Sequence, residues 1–185
     1  MTRLAVIVLL SSREWHDYWK NLVAVERREQ RRGAHIADVV TADGCVVEIQ
    51  HESMSPTKIG GRELDHGHMV WIWDTREAYL SGQLVVTGFT NGFVTFRWKN
   101  HRRNLRACRR PVYLDLWCLR GTQLRLVIKV QQLHEDGSGT GHLITHHSMR
   151  LWMATGIPHR PLPNLPDGSN GSNGSNGSNG EGQLT

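Results

Sequence analysis

At 185 residues the chain is long enough for one compact domain and too short for two well-packed ones. Hydrophobic residues at 38% and charged residues at 21% exclude a chain disordered throughout and a membrane-embedded one. Lys and Arg number 22 against 17 Asp and Glu, with 11 His besides, a formal charge of +5 that admits a polyanionic partner without requiring one.

Residues 4–10 form the one strongly apolar run, far short of the ~20 residues a membrane-spanning helix needs. The Ser11-Ser12-Arg13-Glu14 that follows lacks a small-x-small cleavage pattern, so the run reads as a buried strand or the lead-in to a helix. Ser11 with Glu14 is a capping-box pair, and Trp15, Tyr18, Trp19 and Leu22 recur at helical spacing, which predicts a helix over 12–21. Val23-Ala24-Val25 is expected to start a first strand carrying Glu26, and Gly33 punctuates it. Residues 35–41 and 45–50 read as strands joined by the Ala42-Asp43-Gly44 turn, which makes a hairpin. Pro56 opens a helix through Arg62 and Glu63, weakened at Gly60-Gly61 by about 1 kcal/mol per glycine relative to alanine. Residues 69–73 form a short apolar strand, giving the order α-β-β-β-α-β.

Beyond Thr75 the pattern is mostly β. Strands are expected over 84–88, 93–98 after an Asn91-Gly92 turn, 112–116 and 124–130, with a last helix over 146–154. Pro158, Pro161, Pro163 and Pro166 end the folded region near Gly156, and from Gly168 the chain is Gly-Ser-Asn repeats. The organisation expected is therefore a domain over 1–157, with a core at 12–76 and a β-rich extension at 84–157, then a flexible tail over 158–185. Cys45, Cys108 and Cys118 show no CxxC spacing, which argues against a disulfide framework or a cysteine-rich zinc site and fits a reducing, cytoplasmic setting.

Asp38 and Glu48 flank the hairpin turn. An Asp and a Glu around a β-turn are ordinarily solvent-facing, but apolar neighbours on both strands here argue for a buried hairpin, where a carboxylate demands a cation or a metal. Two carboxylates converging on one point suit Mg²⁺ or Mn²⁺, which select hard oxygen ligands and generate a nucleophile for phosphodiester hydrolysis. Gln50 lies two residues beyond Glu48, on the same strand face, where it can hydrogen-bond a water or a phosphate but brings no charge. His16 and Lys20, at i and i+4, share one helix face and either assist at a phosphate or are two solvated surface residues.

The stretches Ala34-His35-Ile36-Ala37-Asp38-Val39-Val40, Val47-Glu48-Ile49-Gln50-His51, Ser53-Met54-Ser55, Arg62-Glu63 and Val70-Trp71-Ile72-Trp73-Asp74 together resemble competence protein CoiA-like nucleases of the PD-(D/E)XK type. Glu14-Trp15-His16 and Trp19-Lys20 resemble the first helix of that family. The likeness covers residues 12–76 and, more loosely, 96–99 to 112–116. It implies a bacterial or phage α/β protein with a restriction-endonuclease-like αβββαβ core and an additional, mostly β C-terminal part. It further implies divalent-metal-dependent cleavage of DNA, with Asp38 and Glu48 as metal ligands and Gln50 where the wider superfamily has Lys. Leu64-Asp65-His66 departs from the family's aromatic pair, and the cysteine-containing N-terminal module of longer members is absent.

Arg97, Lys99, Arg102, Arg103, Arg106, Arg109 and Arg110 follow one another with no acidic residue between, the densest charge in the chain. Beside a nuclease core this segment is expected to contact the DNA backbone, without base specificity. Arg62 is a further phosphate contact, or else a surface pair with Glu63. His51 and Ser53 extend the Glu48 strand toward substrate. Trp98 is a candidate stacking residue among tryptophans otherwise expected in the core. His142, His146 and His147 lack the spacing of a metal set. The rival readings are a nuclease-shaped DNA-binding module without catalysis, and a structural protein needing neither metal nor nucleic acid.

Overall fold

The structure, a computed structural model, describes residues 10–119 and 122–163. Nearly all of the 4–10 run and the Gly-Ser-Asn tail lie outside these residues. Helix α1 (Ser12–Lys20) forms where the capping box predicts it: Glu14 N–H donates to Ser11 Oγ, and Ser11 N–H donates back to Glu14. Strands β1 (Arg28–Arg32), β2 (His35–Val40) and β3 (Val46–Gln50) are successive antiparallel neighbours. Helix α2 (Pro56–His66), with Ser55 as its cap and Pro56 in its first turn, crosses over to β4 (Met69–Asp74), which runs parallel to β3. The order α-β-β-β-α-β over the first half of the chain is therefore present.

A short helix α3 (Arg76–Leu80) leads to the antiparallel pair β5 (Leu84–Thr90) and β6 (Phe93–Trp98). The Asn91-Gly92 turn between them has φ of 50° and 81°, the two left-handed residues of a tight hairpin turn. A 3-10 turn at Arg103–Ala107 precedes β7 (Val112–Cys118), which lies parallel to β4. Strands β8 (Arg125–Leu133) and β9 (Ser138–Thr145) and helix α4 (His146–Thr155) complete the order. All nine strands belong to one mixed sheet, β1-β2-β3-β4-β7-β8-β9-β6-β5. The described residues are thus α/β, with a large mixed sheet and four α-helices, none of them long and apolar enough to cross a membrane.

Strand β4 reads Met-Val-Trp-Ile-Trp-Asp because it is buried on both faces, as the middle strand of a parallel group must be. Trp71 and Trp73 pack on one face with Ile59 of α2, Tyr79 of α3 and Phe96 of β6. Val70 and Ile72 pack on the other with Trp15 and Trp19 of α1 and Met149 and Met153 of α4. All seven tryptophans are buried, Trp98 included, so Trp98 is not an exposed stacking platform.

Three expectations are corrected. Val25–Arg27 is a 3-10 turn with Val25 exposed, and the first strand begins only at Arg28, so Glu26 is not a strand residue. Helix α3 and strand β9 were not anticipated. The chain does not leave the fold at Gly156: Leu162 N–H donates to Leu143 O at 2.8 Å, and the Tyr113 hydroxyl meets His159 Nε2 at 2.6 Å.

Candidate active site

The parallel strands β3 and β4 end at the same side of the sheet, where open α/β sheets place their ligand crevices. A cleft of about 480 Å³ opens there, lined by Arg13 and His16 of α1, Asp38 of β2, Glu48 and Gln50 of β3, and Arg62 of α2. His16, Asp38, Glu48, Gln50 and Arg62, all singled out in the sequence, thus come together in one place. His51 lines the same cleft, whereas Ser53 is exposed outside it. Lys20 pairs with Glu29 and does not line the cleft.

The two carboxylates reach the cleft by different routes. Pairing between β2 and β3 runs from Val40↔Val46 to Val39↔Val47 and then lapses. Asp38 Oδ2 occupies the opening and accepts from Ile49 N–H at 2.9 Å, which fixes the half-buried side chain. Its other oxygen, Oδ1, stands 3.3 Å from His16 Nε2. Glu48 is only 2% exposed. Arg62 Nη1 donates to its Oε2 at 2.6 Å, and His66 Nε2 lies 2.9 Å from its Oε1. Apart from this close approach of His66, no hydrogen bond reaches the buried Glu48 Oε1.

Burial pushes the Glu48 carboxyl above its ordinary range; the His66 and Arg62 contacts pull it down and the Asp38 charge adds to the rise. A buried carboxyl that resists ionisation beside a second carboxylate calls for a cation. Hard divalent cations take oxygen donors, and Mg²⁺ needs only one or two protein carboxylates, with water and phosphate supplying the rest. Asp38 and Glu48, two carboxylates lining one cleft, fit that requirement. Among the described residues, no three His, Cys, Asp or Glu side chains converge as a ready-made cage.

His66 was not foreseen as part of the site, although Arg62 and His66 stand at i and i+4 and so share a face of α2. The Leu64-Asp65-His66 segment has definite roles. Asp65 accepts from Ala34 N–H at 2.8 Å and contacts His35 Nδ1 at 2.7 Å, tying α2 to the β1–β2 turn. Leu64 is 83% exposed. Glu63 is not a surface partner of Arg62 but a buried anchor, accepting from Trp71 Nε1 and from the main-chain N–H groups of Arg109 and Arg110.

That anchor divides the basic segment. Arg106, Arg109 and Arg110 line a groove of about 760 Å³ with Gly60, Glu63 and Leu64 of α2, and Arg106 pairs with Glu135 at 2.5 Å. Arg97, Lys99 and Arg103 are exposed. Arg102 is half-buried, its guanidinium 5.8 Å from the Trp73 ring.

A buried hub positions α1, and with it His16. Asp115 of β7 is fully buried; its Oδ2 accepts from Trp15 Nε1 at 2.7 Å and Trp19 Nε1 at 2.9 Å. Its Oδ1 accepts from Trp117 N–H at 2.7 Å and meets His146 Nε2 at 2.9 Å. Burial alone would raise this carboxyl, but His146 and the surrounding donors outweigh it and hold the group below its usual range. Trp117 has φ of 64°, a strained conformation for a bulky residue, and the Arg125 guanidinium stacks 4.1 Å above its ring. No family model, curated protein or solved structure matches the chain.

Proposed function

We propose that the chain is a divalent-metal-dependent nuclease acting on DNA, built on a restriction-endonuclease-like core within residues 12–76. The observation that carries this reading is the convergence of Asp38 and the buried Glu48 in one cleft at the carboxyl end of β3. The likeness of the hairpin and flanking segments to CoiA-like nucleases supports it. Asp38 and Glu48 would hold Mg²⁺ or Mn²⁺, which when bound supplies an activated water and neutralises charge on the phosphoryl oxygens.

The remaining residues divide the work. Gln50 Nε2 donates to Glu52 O at 2.8 Å, which leaves its amide oxygen to orient a water. Arg62 brings to the phosphate the positive charge that Gln50 lacks, His16 adds a ring nitrogen for hydrogen bonding, and Arg13 widens the cationic rim. The exposed Arg97, Lys99 and Arg103 hold the DNA backbone. Lys20 acts on the cleft only through Glu29.

The test is cleavage of labelled single-stranded and duplex DNA with Mg²⁺, Mn²⁺ or EDTA, wild type beside Asp38→Ala and Glu48→Ala. Metal-dependent products lost in both variants, with DNA binding retained, are expected. Full cleavage by either variant ends this mechanism. One observation favours a second reading, a nuclease-shaped module that holds DNA without cutting it: Arg62 already pairs with Glu48 from within the chain, and His66 stands against its other oxygen. In that case binding is salt-sensitive but indifferent to divalent metal, and DNA emerges intact from every reaction.

A further inference from the structure

A second cavity, of about 280 Å³, lies at the carboxyl end of β4 and shares Ser12 and His51 with the catalytic cleft. Its other walls include Glu77 of α3, Trp98, and Asn100 and Arg102 of the turn after β6. Arg102 lines this cavity with its Nη1 buried and without a hydrogen-bond partner, so the rest of the guanidinium faces the space, and Asp74 and Glu77 are the charges nearest it. Asp74 is already committed to Arg76, with both oxygens engaged at 2.8 Å. Glu77 is exposed and has no ion pair among the described residues, so a guanidinium and a carboxylate line one cavity without pairing. Asn100 sits at φ 56°, a left-handed turn position that asparagine tolerates, and this brings Arg102 back toward the sheet.

We propose that this cavity binds an unpaired guanine base flanking the scissile phosphate, which makes the substrate a single strand or an extruded nucleotide; the inference rests on the nuclease reading. Guanine offers two acceptors, O6 and N7, which match the guanidinium fork. Its other edge offers two donors, N1–H and the N2 amino group, which match a carboxylate. Adenine presents one acceptor and one donor toward the same arginine, and thymine has no two-donor edge. Because the carboxylate takes the pairing edge, a guanine in an intact duplex cannot enter. The shared walls at Ser12 and His51 put the base beside the phosphate held between Asp38 and Arg62.

The experiment measures binding of pentathymidylate, and of the same strand with a central guanine, 7-deazaguanine or hypoxanthine, to the full chain in EDTA by fluorescence anisotropy. Wild type binds the guanine strand roughly tenfold more tightly than pentathymidylate, a discrimination typical of one bidentate base contact. Loss of N7 or of the N2 amino group removes most of that preference, and so do Arg102→Lys and Glu77→Gln. Equal affinity for all four strands overturns the proposal, as does a guanine preference that survives both variants. The base analogues act on the unaltered protein, so the test stands even where a variant folds poorly. Parallel cleavage reactions with Mg²⁺ or Mn²⁺ judge the nuclease reading separately: intact DNA with a guanine preference removes the catalysis and keeps the pocket.

Discussion

Replacing Asp115 by Asn tests whether the buried hub holds α1 against the sheet. Each carboxylate oxygen serves two partners: Oδ2 the Trp15 and Trp19 indoles, Oδ1 the Trp117 N–H and His146. An amide keeps one oxygen and sets an NH₂ group either against the two indole donors or against the Trp117 N–H, beside which His146 Nε2 accepts only by changing tautomer. One or two hydrogen bonds to a charged group are lost, at about 1.5–3 kcal/mol each, or about 1.5–6 kcal/mol in all. Against a domain stability of about 5–15 kcal/mol this is a large fraction. Urea unfolding followed by tryptophan fluorescence reads it, because three of the reporters touch the hub. A loss below about 1 kcal/mol refutes the reasoning, since it lies under the value of a single such bond. The acid limb gives a second check. Asp115 is held below its usual range when folded, so its stabilisation is present above the unfolded carboxyl value of about 3.9 and is lost as pH falls through the folded value. Wild type therefore loses stability in acid more steeply than Asp115→Asn, and parallel acid limbs contradict the assignment.

Glu48→Gln is expected to abolish cleavage without lowering the melting temperature in metal-free buffer at neutral pH. Glu48 is raised by burial, so its contribution to stability is present below the unfolded carboxyl value and lost as pH rises through the folded one; the uncharged amide is spared that loss and still accepts from Arg62. A fall of more than about 3 °C, near 1 kcal/mol for a domain of this size, contradicts that balance. Replacing Arg97, Lys99 and Arg103 with Ala lowers the log-affinity against log-salt slope for duplex DNA by about 1 per phosphate contact, and an unchanged slope removes them from the interface.

Much of the first half of the fold was legible because its signals are local. The capping box of α1, the turn between β2 and β3, and Pro56 at the start of α2 each act within a few residues. Strand β9 escaped notice because Gly139 and Gly141 read as loop, yet both answer to cross-strand neighbours. A Cβ at Gly139 would lie 2.3 Å from the Phe96 ring, and one at Gly141 would lie 2.4 Å from Lys129 O. Strand β1 was placed too early because Val23 to Val25 carries the β-branched residues, while Arg-Glu-Gln-Arg-Arg has no apolar face to show. In the site, Asp38, Glu48 and Gln50 followed from one hairpin, and His16 and Arg62 from their helices. The roles of His66, Glu63 and Asp115 depend on elements far apart in the chain, which no local spacing reveals.

The two outermost strands bear on how the molecule behaves in company. A sheet with a straight, unpaired margin invites another chain to add to it. Here β1 is broken by Glu29 at φ 51° and is rich in arginine, and β5 shifts register between Val86 and Gly88. Neither margin presents an even row of main-chain donors and acceptors. Both margins therefore disfavour growth of the sheet from molecule to molecule, the hazard that so long a ribbon of strands would otherwise carry.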